Sequence, residues 1–222
     1  MQKIIKENRL VLYLYFIFIL AALTFIFLEG KSDSQLIINS LHTPFFDSFF
    51  KILTNLGDGL FMIFVGIMLL IFISIRYGLI ILSSFLCSSL LVQILKKLIF
   101  KDHDRPVLFF QKIGIEFYKI PGLEYHSHFS FPSGHSTTAF ALFIGITLFT
   151  RNVYLKILLL LIACITAFSR AYLSQHFIED TIAGSALGTG TVFVFYYFFT
   201  GLESFRIDRP VVKIKYGKND RV

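Results

Sequence analysis

The sequence predicts an all-α protein: a six-transmembrane-helix bundle with a short interfacial helix and one long loop on the outer face. Three observations predict it. Of the 222 residues, 55% are apolar and 28 are Phe, which is too apolar for a soluble domain of this length. Several apolar runs approach ~20 residues, the length a helix needs to cross ~30 Å of hydrocarbon. The net charge of +7 gathers in tails and connecting segments, as membrane topology requires, and forms no patch of the kind that binds nucleic acid. The whole chain, 1–222, reads as a single membrane domain.

The elements follow in order. Lys3, Lys6 and Arg9 precede an apolar run over 10–28. Its length and the poor cleavage sequence Leu28-Glu29-Gly30-Lys31 argue for a retained first span, not a signal peptide. Thr43 suits an N-cap and Pro44 the first helical position. Phe45, Phe46, Phe49, Phe50 and Leu53 then recur at helical spacing, with Asp47, Ser48 and Lys51 between them. That pattern fits a short helix, lying in the membrane interface or packed over the bundle. Spans are expected over 60–75, 79–96, 136–150, 153–170 and 179–199. Arg76-Tyr77-Gly78 reads as a tight turn between the second and third. Gly184 and Gly188 have the small-residue spacing that lets helices approach closely. A basic tail covers 203–222. Cys87 and Cys164 lie inside apolar runs and read as packing residues. The loop from 96 to 135 is rich in aromatic and aliphatic residues, fitting a lid over a site or a segment folded back on the bundle.

Orientation comes from Lys and Arg. With the N-terminus inside, the inner segments carry 12 of these residues and the outer segments 9. Six spans then put both termini inside and place Lys97, Arg105, Pro132 to His135, and Ser169 to Asp180 together on the outer side.

Those segments carry the ionisable residues of interest. Pro132-Ser133-Gly134-His135 opens a span, and a helix N-terminus offers free N–H groups and about half a positive charge to an anion. Ser133 suits an N-cap or a donor to a phosphate oxygen, and Gly134 allows close backbone approach. His176 and Asp180 are four apart and share a helix face, so the carboxylate can fix the imidazole tautomer. Arg170 offers a planar fork for phosphate oxygens. Lys96, Lys97 and Lys101 compete for one phosphate-binding role, and Arg105 is held extended by Pro106. His103, His126 and His128 lack metal-ligand spacing, so no metal is expected.

Taken together, these motifs resemble the type-2 phosphatidic acid phosphatase family of integral-membrane lipid phosphatases. The family's pattern is Lys, six residues, Arg-Pro; then Pro-Ser-Gly-His; then Ser-Arg, five residues, His, three residues, Asp. The second and third motifs match without change, the third as Ser169-Arg170 with His176 and Asp180. In the first, seven residues separate Lys97 from Arg105; Lys97 is assigned the role, with Lys101 second. The resemblance covers roughly 79–188.

The resemblance implies a phosphohydrolase that works by double displacement. His176 attacks phosphorus to give a phosphohistidine, and Asp180 orients it. His135 protonates the departing alkoxide and then activates water. Lys97, Arg105, Arg170, Ser133 and the Gly134 amide hold the phosphate oxygens. No cofactor, nucleic acid or protein partner is implied beyond a lipid phosphate in its bilayer. The expected location is a bacterial inner membrane, with a long periplasmic loop, a periplasmic active site and cytoplasmic termini. Phosphatidic acid, phosphatidylglycerol phosphate, undecaprenyl diphosphate and lipid A are the substrate candidates. A phosphotransferase with the same intermediate, or a non-catalytic anion-binding membrane protein, are the alternatives.

Overall fold

The computed structural model describes residues 2–202 and 207–212, and its described residues contain helices and no strand. α1 spans Gln2–Asn39, α2 Pro44–Leu53, α3 Gly59–Phe72, α4 Ile75–Ile94, α5 Pro106–Lys112, α6 Gly134–Phe149, α7 Val153–Tyr172 and α8 Ile178–Thr200. A 3-10 segment, Thr54–Gly57, joins α2 to α3, and a π-helical turn, Leu95–Ile99, prolongs α4. Among the described residues, four helices are long and apolar enough to cross a membrane: Lys6–Asn39, Ile75–Ile99, Val153–Tyr172 and Ile178–Thr200. The α2–α3 pair, bent by 51°, makes a fifth if counted as one span. α6, with 16 residues, is shorter.

α6 is the centre of the bundle. Its apolar residues from Ala139 to Ile144 are all buried, and it packs on α3, α4, α7 and α8. The contact with α8 is the closest. A Cβ added at Gly188 would stand 2.1 Å from the Thr137 carbonyl oxygen, and one at Gly184 2.4 Å from that of Ser133. Only hydrogen fits there, which is why the small-residue spacing read from the sequence becomes a helix contact.

Several boundaries differ from expectation. The first helix does not end at 28: it bends at Gly30 (φ 80°, ψ 167°) and continues to Asn39. Beyond the bend, Ser34, Gln35, Ile38 and Asn39 form a buried stripe, and Gln35 donates to the Ala171 carbonyl at 2.9 Å. The turn expected at Arg76-Tyr77-Gly78 falls earlier, at Ile73-Ser74, and those three residues lie in the first turn of α4. Gly78 is needed there for packing, since its Cβ would sit 2.3 Å from that of Leu70. Arg76 is buried, pairs with Asp208 at 2.5 Å and donates to the carbonyls of Phe199 and Leu202. The tail segment 207–212 is thereby docked: Arg76 and Ile75 donate backbone bonds to Ile207 and Arg209. The remainder of the expected basic tail lies outside the described residues.

α2 forms where expected, with the Thr43 hydroxyl accepting from Phe46 N at 3.2 Å. Of the two settings expected, packing over the bundle is seen on one face. Asp47 and Phe50 are buried against α7, and Asp47 accepts from Tyr172 Oη at 2.8 Å and Tyr118 Oη at 3.3 Å. Phe45, Phe46, Phe49 and Ile52 face outward. The long loop folds back over the bundle: Phe110 and Ile120 are buried, and Phe110 stacks on Phe117 at 4.6 Å.

Candidate active site

Four chain segments end at one end of the bundle, and each delivers part of the site. The α6 N-terminus brings Ser133, Gly134 and His135. Ser133 caps the helix, its hydroxyl accepting from the Ser136 amide, and its own N–H donates to the Asp180 carbonyl at 2.9 Å. That bond ties the start of α6 to the start of α8. Gly57 lies on the other side of this turn: a Cβ there would be 2.7 Å from the His135 carbonyl oxygen.

The turn between α7 and α8 brings the third motif. Ser174 adopts a left-handed conformation (φ 54°), and the amides of Gln175 and His176 both bond to the Arg170 carbonyl, at 3.0 and 3.2 Å. The reversal places His176 beside Arg170, in the last turn of α7. His176 is 2% exposed, so its ring is almost fully removed from water. Its Nδ1 lies 3.4 Å from Asp180 Oδ2. This is long for a hydrogen bond, though contacts of catalytic groups commonly tighten with substrate bound. The same carboxylate oxygen accepts from Ser130 Oγ at 2.5 Å and the Phe177 amide at 2.9 Å. Asp180 is thus fixed by two donors besides the imidazole.

The cations converge on this ring. Arg105, Lys96, Arg170 and His135 all act electrostatically on His176. Burial is the largest influence, and with these positive neighbours it holds the His176 imidazole well below its ordinary pKa. That favours the neutral ring, and a proton on Nδ1, facing Asp180, would leave the Nε2 lone pair free. Arg105 is buried; Nε donates to the His128 carbonyl at 3.0 Å, and Nη1 to the Gln175 carbonyl and Oε1 at 3.0 and 3.1 Å. Arg170 donates from Nη1 to Thr54 Oγ1 at 2.8 Å, while its buried Nε has no acceptor among the described residues.

The sequence favours Lys97, but the structure brings the neighbouring Lys96 into the electrostatic environment of the two histidines. Lys96 is the lysine of that segment whose charge bears on His135 and His176. Lys97 shares with it only the outer mouth, beside Arg105, His126, His128 and Phe129. The reason is local: Phe100 N bonds to the Leu95 carbonyl at 2.8 Å, a π turn that rotates the lysine pair relative to α-helical register. Lys101 lies beyond the turn and is exposed.

Sequence reasoning also missed Ser130, Thr54 and Gln175, which touch the motif residues. Ser130 lies within three residues of Ser133, but nothing in its identity marks it. Thr54 comes from a segment far away in sequence. The loop histidines do not gather: His103 meets Phe100 edge to face at 5.0 Å, and His128 Nδ1 lies 3.2 Å from Asp104 Oδ1. Among the described residues there is no group of three or more His, Cys, Asp or Glu placed to hold a metal ion.

Beside the site, an apolar groove of about 700 Å³ opens between α4 and α8. Leu91, Leu95, Phe131, Leu187 and Val194 line it, and Phe131 adjoins both Ser130 and the α6 start.

The chain is similar to known proteins. The family model described as the PAP2 superfamily matches residues 77–203. The crystal structure of Aquifex aeolicus LpxE superposes with a TM-score of 0.63 at 24% identity, covering 73% of this chain and 92% of that one. The crystal structure of the first transmembrane PAP2-type phosphatidylglycerolphosphate phosphatase from Bacillus subtilis superposes with a TM-score of 0.64 at 22% identity, covering 90% and 99%. No curated protein matches the sequence.

Proposed function

The chain belongs to the PAP2 superfamily, and on that premise we propose that it is a membrane lipid phosphatase, hydrolysing a phosphate monoester or diphosphate carried on a lipid. The observation that carries the reading is the arrangement around His176: a buried neutral imidazole with Asp180 on Nδ1 and three cations and a second histidine bearing on it.

The reaction runs in two displacements. Phosphate oxygens settle among Lys96, Arg105, Arg170, Ser133 and the Gly134 amide, at the positive end of α6. Nε2 of His176 attacks phosphorus while the bond to the lipid oxygen breaks. Nδ1–H stays on Asp180, which stabilises the positive charge that forms on the ring. His135, protonated once the anionic phosphate is seated beside it, gives that proton to the leaving oxygen. It then takes a proton from water, which attacks the phosphohistidine; inorganic phosphate leaves and His176 is restored. The cations balance the charge of the transferring group, the role that metal ions fill in kinases.

A lipid substrate is supported by the groove between α4 and α8. It is almost wholly apolar, and its lining includes Phe131, next in sequence to the Ser130 that binds Asp180, so a chain lying in it could keep its head group by the cations. We infer that α6 is also a crossing, giving six, with both termini cytoplasmic. The site then faces the periplasm of a bacterial inner membrane. The Lys and Arg asymmetry supports this orientation.

Phosphate release by purified protein, measured over phosphatidic acid, phosphatidylglycerol phosphate, undecaprenyl diphosphate and lipid A, tests the proposal. Release from at least one, abolished in His176→Ala, is expected; none from any of the four overturns it. Supplying an alcohol acceptor in the same assay separates hydrolysis from transfer.

A further inference from the structure

Neither of the two site arginines is paired with a carboxylate. Among the described residues, no Asp or Glu oxygen lies within ion-pair distance of Arg105 or Arg170. Arg76, the other buried arginine, pairs with Asp208. What holds the site arginines is neutral. Thr54 Oγ1 accepts from Arg170 Nη1 at 2.8 Å, across a buried contact between residues 116 apart in the chain. Gln175 accepts from Arg105 Nη1 with both its carbonyl and Oε1, and is itself fixed by donating from Nε2 to the Glu124 carbonyl at 2.8 Å.

Resting on the phosphatase reading, we propose that Thr54 and Gln175 are positioning residues: uncharged acceptors that aim the two guanidinium groups without neutralising them. The geometry gives each a reason. An arginine side chain is long and loses rotamer freedom when fixed, so an acceptor in place beforehand meets that cost in the empty site. A carboxylate would fix it more strongly but would also cancel the positive potential that the phosphate needs. Thr54 engages one terminal nitrogen of Arg170 and leaves Nε unpartnered and buried. A buried donor with no acceptor costs free energy, and a phosphate oxygen at that edge removes the cost. Thr54 can reach Arg170 because its 3-10 segment is wedged between α6 and α7. Gly57 closes on the His135 carbonyl in the same segment.

The test is a substitution series at Thr54, with orthovanadate binding to purified protein measured by calorimetry alongside kcat, KM and thermal unfolding. Thr54→Ser keeps the hydroxyl and is expected to stay within about threefold of wild type. Thr54→Val removes the acceptor and is expected to weaken vanadate binding about tenfold to a hundredfold, the range for a hydrogen bond to a charged group. Thr54→Asp restores an acceptor but adds a charge, and is expected to bind vanadate at least tenfold more weakly than Thr54→Ser. A merely structural role predicts the reverse for Asp, since a stronger partner for Arg170 would then suffice. Gln175→Glu repeats the charge test at Arg105 and decides the matter if the Thr54 variants unfold; at least tenfold weaker binding is expected. Thr54→Val equal to wild type, or carboxylate variants that bind vanadate as well as wild type, overturn the inference. Wild-type protein that binds no vanadate would instead overturn the phosphatase reading.

Discussion

His176 and His135 stand on the same phosphorus in the proposed reaction but contribute differently. His135→Ala removes an acid–base group, for which a loss of about 10²–10⁴-fold in turnover is expected. His176→Ala removes the nucleophile, and at least as large a loss is expected in a phosphate-release assay. The pH dependence has a definite sign. Burial and the Arg105, Lys96 and Arg170 charges favour the neutral imidazole, so the pKa of His176 falls. The nucleophile then stays unprotonated as pH drops through the ordinary histidine value of about 6.5. In kcat/KM, corrected for the ionisation of the substrate phosphate, the acid limb from His176 should lie well below pH 6.5. A limb centred near 6.5 would show a solvated ring instead. The lysine question has an equally plain readout: Lys96→Ala should cripple turnover and Lys97→Ala should cost little. His135, His176, Asp180, Arg105 and Arg170 were legible in the sequence because motif spacing fixes their type and order. The choice between Lys96 and Lys97 was not, because it requires the helical register, and a π turn alters that without any mark in the sequence. Thr54 and Gln175 act through neutral hydrogen bonds, which no residue pattern announces.

Among the elements, those built from long apolar runs were legible almost to their ends. α7 and α8 begin within one residue of expectation. The misplaced boundaries share a cause: each was set by tertiary contact. α1 continues past its charged stretch because the stripe from Ser34 to Asn39 finds cover on α7 and the loop. Arg76, Tyr77 and Gly78 look like turn residues but are helical, because Arg76 finds Asp208 and Gly78 meets Leu70. Gly184 and Gly188 were read correctly, since their spacing has a packing meaning wherever two helices touch. Gly188→Ala should be strongly disruptive: its methyl group has only the main chain of α6 to press on, 2.1 Å from the Thr137 carbonyl oxygen. A cost on the order of 1–3 kcal/mol or more is expected, read as a lower midpoint of thermal inactivation in detergent. Gly190, whose added methyl group would meet open space, provides the control; Gly190→Ala should be close to neutral.

For the molecule as a whole, catalytic chemistry and anchoring occupy opposite ends of the bundle. The chemistry sits where α4, α7 and the starts of α6 and α8 meet. At the far end, Arg76 gathers Asp208 and the last carbonyls of α8. Asp208→Ala would leave a buried cation without its counter-charge. Lower yield of folded protein is expected, with unchanged KM in the fraction that folds, measured after size exclusion. α2 has a further consequence. Its inner face is bolted through Asp47 and Phe50 to the helix whose last turn carries Arg170, while Phe45, Phe46, Phe49 and Ile52 project outward. If α2 lies in the interface, as its sequence pattern leads one to expect, rings on that ledge would sit in the acyl region just under the head groups. The ledge would then serve as a depth gauge, keeping the cations level with the plane where lipid phosphates lie as the surrounding bilayer thins or thickens.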